Sequence, residues 1–405
     1  MDTQILEVLR AALSPFPSPM TSSTSPLATS MESLSLSSHS TVATTSTYRV
    51  IGRGTAGTIY PSTPRSALKV GRDQKALWND ICFGKEVYDA LRASRVVLGN
   101  YFHDLTVSRV PSLQFSITLA YVQQWWANSE SQFSREDLEE EGKFVFGLDR
   151  IPPVPGIAID ALLRAYFPDA SDRAALLQAE GHACLIRPYL GRRRTAREKR
   201  DGEESQWNLP LFLDQLLSIL GLSGVRHMAR EMAIGLAVLH WGALVDGIDV
   251  EFVFGSTSDS KSSTFNPNGG KRATQLWLLD FDKAEKSELP QNGKEGFGET
   301  EMCRRIVTAV TANDPHFPTP DVRGNSGARC DEGGCVEKHI WEVFGETYVA
   351  ASRILITRNK DITKTMDLSV KDKTSEVWPK EFVRMWKARF TEIREGEDGG
   401  FVVFG

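Results

Sequence analysis

The sequence lacks any apolar run approaching the roughly 20 residues that a transmembrane helix needs, so we expect no membrane span. Cysteine is scarce. Five scattered residues, an odd number, do not predict a disulfide framework and favour an intracellular location, in the cytoplasm or the nucleus. A basic excess is also missing, because 47 Lys and Arg stand against 52 Asp and Glu, for a net charge of -5. That balance argues against a general nucleic-acid partner. The acidic Asp2 and Glu7 occupy the place of a basic signal-peptide start, so no secretory signal is expected.

What is present is a globular composition with one unusual segment. The chain is 41% hydrophobic and 24% charged, which is typical of a soluble folded protein. Residues 21–47 are dominated by Ser and Thr and have little apolar surface to bury. We therefore predict a disordered Ser/Thr-rich tail over residues 1–47. Within it, residues 3–13 can form one short amphipathic helix.

A glycine-rich segment opens the part predicted to fold. Gly52, Gly54 and Gly57 lie between short runs rich in β-branched residues. Pro61 and Pro64 follow and prevent a helix after the glycines, which excludes the usual dinucleotide-binding arrangement. The pattern predicts a strand, a turn and a second strand, the geometry of a flap whose backbone amides cover nucleotide phosphates.

A lysine then interrupts an apolar strand predicted over residues 66–70. Lys69 stands between Leu68 and Val70, and burying its ammonium group requires an anionic partner. We predict Glu86, on the following helix, as that partner. The alternative is that Lys69 lies on the solvent face of the strand and Glu86 is an ordinary solvated residue.

Carboxylates cluster in two later segments. Asp246, Asp249 and Glu251 follow a predicted helix and precede a strand, while Asp280 and Asp282 end a strongly apolar strand. Acidic residues are also common in surface turns, so each segment alone has a structural explanation.

Taken in order, these elements resemble the protein-kinase-like fold, which includes aminoglycoside phosphotransferases. The resemblance implies that Lys69 holds nucleotide phosphates, with Glu86 orienting it. It implies that Asp246 is the base that orients and deprotonates an acceptor hydroxyl. Glu251, at the position of a metal-binding asparagine, and Asp280, in Asp-Phe-Asp, would bind Mg²⁺. The implied cofactors are ATP and Mg²⁺.

The same resemblance implies an α+β, two-lobed architecture. A small β-rich N-lobe with a helical insertion would span residues 48–182. A hinge on the adenine at 183–191 would begin a mainly helical C-lobe that runs to residue 405. We expect a monomer.

Departures from the kinase pattern leave the activity open. Leu244 and Val245 precede Asp246 in place of His-Arg, Asp282 replaces a glycine, and no Ala-Pro-Glu segment follows. One hypothesis is a divergent ATP/Mg²⁺-dependent phosphotransferase acting on a small-molecule or protein hydroxyl of unknown identity. The alternative is a catalytically dead, pseudokinase-like binding or scaffold module. A third hypothesis is a regulatory protein that uses zinc or the basic run 192–200.

A second resemblance is to the fungal family DUF3669, which carries the label zinc finger protein and no established activity. The similar strings start at Cys184, Leu239, Leu278 and Asn313, and the likeness covers roughly residues 150–360. Cys330, Cys335 and His339 form a Cys-x4-Cys-x3-His pattern, which offers only one close pair of zinc ligands. Cys303 or His316 would have to serve as a remote fourth ligand. Structural zinc usually takes its four ligands as two close pairs. We therefore do not expect zinc.

Overall fold

The computed structural model describes residues 2–16, 48–116, 119–133, 144–166, 184–194, 208–257, 273–289, 297–313, 315–320, 336–359, 362 and 368–397. Within these ranges the chain is a mixture of helices and two small sheets, so the predicted α+β class is confirmed. None of the helices described is long and apolar enough to cross a bilayer.

The first sheet has five antiparallel strands in the order β1-β2-β3-β5-β4. The strands are β1 (Gly52–Arg53), β2 (Thr58–Thr63), β3 (Ser66–Gly71), β4 (Leu113–Ser116) and β5 (Phe144–Asp149). The predicted strand-turn-strand at the glycines is confirmed, and the Gly54 amide donates to the Gly57 carbonyl at 2.9 Å. Strand β3 lies at the centre, with Lys69 paired to Ile59 on one side and Phe146 on the other.

Helix α2 (Gln74–Tyr101) follows β3, and helix α3 (Leu119–Ser129) follows β4 and leads into a 3-10 turn at Glu130–Gln132. Asp73 caps α2, because its side chain accepts from the amides of Lys75 and Ala76.

The second sheet has four strands in the order β7-β6-β8-β9. They are β6 (Leu185–Tyr189), β7 (Asn208–Phe212), β8 (Glu251–Ser256) and β9 (Thr274–Leu279). Residues 209–212 pair with β6 as a parallel strand, and the following helix begins only at Leu213. Alternating burial of Leu209 and Leu211 fits the strand period of two.

The segment predicted as a hinge includes a strand of the second sheet. Residues 183–191 were expected to join the two lobes, but β6 lies inside the second sheet, between β7 and β8. The first sheet ends with β5, and the chain enters the second part through residues 150–155, where Val154 donates to the Cys184 carbonyl at 3.0 Å. Three prolines keep this connector out of helical geometry.

Helices surround the second sheet and form the main apolar core. They are α4 (Gly156–Tyr166), α5 (Leu213–Ala237), α6 (Glu301–Ala312), α7 (Val336–Arg358) and α8 (Leu368–Glu397), with a 3-10 turn at Phe297–Glu299. Helix α5 bends at Gly221, whose φ is +67°, and continues as a π-helical turn over Val238–Ala243. It packs along α7 at the centre of this core.

The first helix is part of the same core. Helix α1 (Thr3–Leu13) fully buries Leu9 and Leu13 against α4 and α5. Its backbone is also anchored, because Thr274 Oγ1 donates to the Ala12 carbonyl at 2.8 Å. The short helix predicted over residues 3–13 is therefore confirmed, and it packs into the core although the predicted tail of residues 1–47 included it. Residues 17–47 lie outside the described part of the chain.

Candidate functional site

A cavity of about 160 Å³ lies between the first sheet, α2 and the ends of β8 and β9. Its walls bring together six of the eight residues predicted from the sequence to form a site: Gly52, Gly54, Gly57, Lys69, Glu251 and Asp280. The two other predicted residues, Glu86 and Asp246, are not among those that line it.

Lys69 is buried at the base of this cavity. Its side chain is 9% exposed, and Nζ lies 2.5 Å from Asp80 Oδ2 and 2.8 Å from Asp280 Oδ1. Burial alone would lower the pKa of Lys69, but the carboxylates of Asp80 and Asp280 outweigh it and raise that pKa. The lysine is thus a permanent cation held between two anions, and the alternative of a solvent-facing Lys69 is wrong.

The partner on the helix is Asp80 and not Glu86. Asp80 also accepts the amide of Phe281 through Oδ1 at 2.9 Å, so one side chain fixes both the lysine and the segment after β9. Glu86 lies farther along α2, is half-exposed and pairs with Lys286. The predicted Lys69–Glu86 ion pair is therefore wrong.

Helix α2 and the Asp-Phe-Asp segment are held together at two further points. Asn79 Nδ2 donates to the Asp282 carbonyl at 3.0 Å. A Cβ at Gly84 would lie 3.4 Å from the ring of Phe281, which shows that the ring packs directly on the helix backbone. These contacts fix Asp280, itself at φ +69°, beside Lys69.

The glycine turn lies close over the carboxylates. A Cβ added at Gly54 would be 3.8 Å from Asp280 Oδ2. At Gly57 a Cβ would be only 2.4 Å from the Val70 carbonyl oxygen, so this position accepts no side chain without moving the β2–β3 pair. The turn therefore needs glycine to lie this near to the strand that carries Lys69.

Glu251 begins β8 on the opposite wall. Its carboxylate pairs with Arg187 of β6 at 2.7 Å, with 14% of the Glu251 side chain exposed. Both predicted metal ligands therefore face a cation, Arg187 for Glu251 and Lys69 for Asp280.

Asp246 lies outside the cavity lining and is 5% exposed. It accepts the Glu285 amide at 2.9 Å and the Ile248 amide at 3.3 Å, and lies 3.6 Å from Arg305 Nη2. Burial raises the pKa of Asp246, while these amides and Arg305 oppose the rise. In this position the carboxylate ties the loop before β8 to the segment after β9.

Sequence reasoning identified Asp249 and Asp282 as acids but gave neither a role. Asp249 has φ +62° and pairs with Lys283 at 2.7 Å. Burial raises the pKa of Asp282, with a further contribution from Asp280.

No three His, Cys, Asp or Glu side chains within the described ranges are arranged to hold a metal ion on their own. Cys330 and Cys335 of the Cys-x4-Cys-x3-His pattern lie outside those ranges. Of the two remote candidates, Cys303 is buried with its pKa raised to about 12 by that burial, and His316 Nδ1 lies 3.1 Å from the Pro188 carbonyl.

Comparison with known families gives one match. Residues 276–360 match the model of the DUF3669 family, which is described as zinc finger protein. The matched segment includes Asp280 but neither Asp246 nor Glu251, and it is shorter than the 150–360 predicted from the sequence. No curated protein and no solved structure matches the chain. Over residues 276–360, the chain is thus similar to DUF3669.

Proposed function

We propose that the cavity around Lys69 binds ATP with Mg²⁺ and that the protein is a divergent, two-lobed kinase-like phosphotransferase. The observation that carries this proposal is the position of Lys69 between Asp80 and Asp280, beneath a glycine turn. Protein kinases use a strand lysine, a helix carboxylate paired with it and a metal-binding aspartate after a later strand. Here β3, α2 and the end of β9 supply these three groups.

The residues in the cavity fit a metal-nucleotide. Lys69 is a cation suited to phosphate oxygens, and the turn backbone can approach phosphates because its glycines have no side chains. Asp280 and Glu251 would supply the hard oxygen ligands that Mg²⁺ prefers, and Mg²⁺ would neutralise phosphate charge when bound. Asp246 stays a prediction for the base, although its carboxylate would first have to leave the Glu285 and Ile248 amides.

The size of the cavity adds a requirement. Its volume of about 160 Å³ is below the roughly 300 Å³ at which ligand pockets usually begin. A nucleotide would therefore enter only if the turn over residues 53–57 lifts away from Asp280. The β1–β2 connection is the natural moving part, because Gly54 lets the backbone rotate.

One observation favours the second candidate function, a binding or scaffold module without turnover. Each predicted metal ligand is already paired with a buried or half-buried cation, Asp280 with Lys69 and Glu251 with Arg187. A metal would have to compete with these pairs, and weak metal binding would leave nucleotide binding without efficient transfer.

Titration calorimetry with ATP and Mg²⁺ tests binding. We expect wild-type protein to bind ATP and Lys69→Met to weaken binding at least tenfold, about 1.4 kcal/mol. Lys75→Met, at an exposed position in the first turn of α2, is the matched control and should bind as wild type does. No heat of binding with wild type at about 1 mM ATP would overturn the proposal.

Release or transfer of the γ-phosphate then separates the two functions. Turnover by wild type that disappears in Asp280→Asn supports a phosphotransferase. Binding that persists while wild type and Asp280→Asn show the same background turnover supports the scaffold function.

A further inference from the structure

A second and larger concavity lies beside the candidate site. It has a volume of about 730 Å³ and is lined by five arginines: Arg65, Arg92, Arg95, Arg109 and Arg150. They come from four separate segments, namely the β2–β3 turn, α2, the stretch before β4 and the connector after β5. We call this concavity the arginine groove.

Backbone contacts fix the segments that carry these arginines. The Arg150 amide donates to the Arg65 carbonyl at 2.9 Å. Arg109 is joined to β9 in both directions, donating to Leu276 at 3.1 Å and accepting from Leu278 at 2.7 Å. The groove is therefore set in place by the fold before any ligand arrives.

An aromatic wall adds to this preorganisation. Trp277 lines the groove and is 5% exposed, and the Arg109 guanidinium lies 5.9 Å from the centre of its ring. A guanidinium stacked on an aromatic face keeps its fork of N–H donors in a fixed plane.

The charge of the groove is strongly one-sided. Asp149 is the single acidic residue among those that line it, and its carboxylate already accepts from Ser112 and from Gln114 Nε2. Arg92 and Arg95, one turn apart on α2, are exposed and form no ion pair with another described residue. Like charges at this spacing repel.

Partial burial of Arg150 makes its positive charge less favourable in the groove. The half-buried position of Arg150 lowers the pKa of its guanidinium, which reports that the charged form is poorly solvated there. An anion in the groove would relieve the repulsion between Arg92 and Arg95. That concentration of positive charge stands out in a chain whose net charge is -5.

We propose that the arginine groove binds a small, multiply phosphorylated molecule. Arginine forks match phosphate oxygens with paired, charge-assisted hydrogen bonds, and several forks around one concavity select for more than one phosphate. The volume falls within the roughly 300–1,000 Å³ of small-molecule sites. The limited extent of the groove and the acidic net charge of the chain favour a small ligand over a nucleic acid, which needs an extended basic face.

The groove adjoins the nucleotide site proposed above without depending on it. Val110, Asp149 and Arg150 line both spaces, so these residues form the partition between them. A ligand in the groove would contact one wall of the candidate site.

Calorimetry without divalent metal, at about 150 mM salt, tests the proposal with two probes, inositol hexakisphosphate and inorganic tripolyphosphate. We expect wild type to bind at least one of them. Arg92→Ala/Arg95→Ala should weaken binding tenfold or more, since the variant removes two guanidinium groups that can form charge-assisted hydrogen bonds with phosphate. A preference for the ring-shaped probe points to an inositol phosphate, and equal binding points to a linear polyphosphate.

A matched control removes the same charge elsewhere. Arg353→Ala/Arg358→Ala changes two exposed arginines of α7 and should leave binding unchanged. Equal loss in both double variants, or no binding by wild type at about 1 mM probe, would overturn the proposal.

Lys69→Met separates this inference from the proposed function. The groove proposal requires polyphosphate binding to survive in that variant. If Lys69→Met loses the probe and the groove variant keeps it, the probe occupies the nucleotide site and the groove inference is wrong.

Discussion

The single residue on which the candidate site depends most is Asp80. It is the only described side chain that contacts both the Lys69 ammonium and the Phe281 amide. Through these two contacts it joins β3, α2 and the segment after β9. A carboxylate that serves two buried donors tolerates little change, because either donor would lose a partner that water cannot easily replace.

We therefore predict different outcomes for substitution of Asp80 and of Glu86 on α2. Asp80→Asn should lower the free energy of unfolding by about 1–3 kcal/mol and weaken ATP binding, since Lys69 loses one of its two charged partners. Glu86→Gln removes an exposed pair and should change stability by less than about 1 kcal/mol. Urea unfolding and ATP titration of both variants measure this. Equal effects would restore Glu86 to the role predicted from the sequence.

The sequence contained a signal for Asp80 that was not used. Residues 77, 80, 84, 87, 91, 94 and 98 repeat at alternating steps of three and four, and six of these seven positions are buried. Asp80 is the one position of the seven that is not fully buried, and it is a charged residue on a stripe of α2 made otherwise of apolar or small residues. Glu86 falls off the stripe. Lys69 and Asp280 could be predicted from the sequence because a charged residue within or after an apolar strand is easy to recognise. An acidic residue on a helix is recognised only when its position coincides with the buried stripe.

At the scale of elements, the π-helical turn after α5 places a polar network inside the apolar core. His240 is fully buried, with Nδ1 2.8 Å from the Tyr348 hydroxyl, and Trp241 Nε1 donates to the same oxygen at 2.9 Å. Burial lowers the pKa of His240 to about 3, so the imidazole is neutral in the folded protein. This turn leads directly into the loop that carries Asp246.

The buried imidazole predicts a pH dependence. The folded pKa of about 3 lies below the ordinary 6.5, so unfolding takes up a proton below pH 6.5. The stability linked to His240 is thus complete above pH 6.5 and is lost as pH falls towards 3, at up to about 1.4 kcal/mol per pH unit. His240→Phe removes this contribution.

We expect the difference in free energy of unfolding between wild type and His240→Phe to shrink by about 2 kcal/mol from pH 6.5 to pH 5. Urea titrations at the two pH values measure it. His103→Asn, at an exposed position, is the control and should follow the wild-type profile. A difference between wild type and His240→Phe that stays constant over this range would show that His240 does not titrate on unfolding.

Element types were predictable where periodicity was strong and failed where pairing decided the outcome. The strands around Lys69, Glu251 and residues 275–279 follow from short β-branched or aromatic runs. Residues 209–212 adopt a strand because they pair with the parallel edge of β6, and the local sequence does not predict this pairing. The prediction of a hinge at residues 183–191 failed for the same reason, since the pattern of a buried strand does not show which sheet the strand joins.

At the scale of the whole molecule, α1 packs into the main core against α4 and α5, which lie more than 140 residues later in the sequence. Leu9→Ala and Leu13→Ala should each destabilise the protein by about 2–5 kcal/mol, because both side chains are fully buried. Glu7→Ala, on the exposed face of the same helix, should change stability by less than about 0.5 kcal/mol. Chemical unfolding compares the three. Leucine variants as stable as Glu7→Ala would mean that α1 is not packed in solution.

The anchoring of α1 gives the segment over residues 17–47 two fixed ends. Phe16 lies against His227 of α5 at 5.1 Å between ring centres, and Tyr48 packs on Phe133 beside the first sheet at the same separation. A single cut anywhere between them would leave α1 as a separate peptide held only by non-covalent contacts, namely its packing and the Thr274–Ala12 hydrogen bond. The fraction of molecules that keep α1 bound would then depend on protein concentration. In the intact chain, covalent attachment keeps α1 beside its binding site at any concentration.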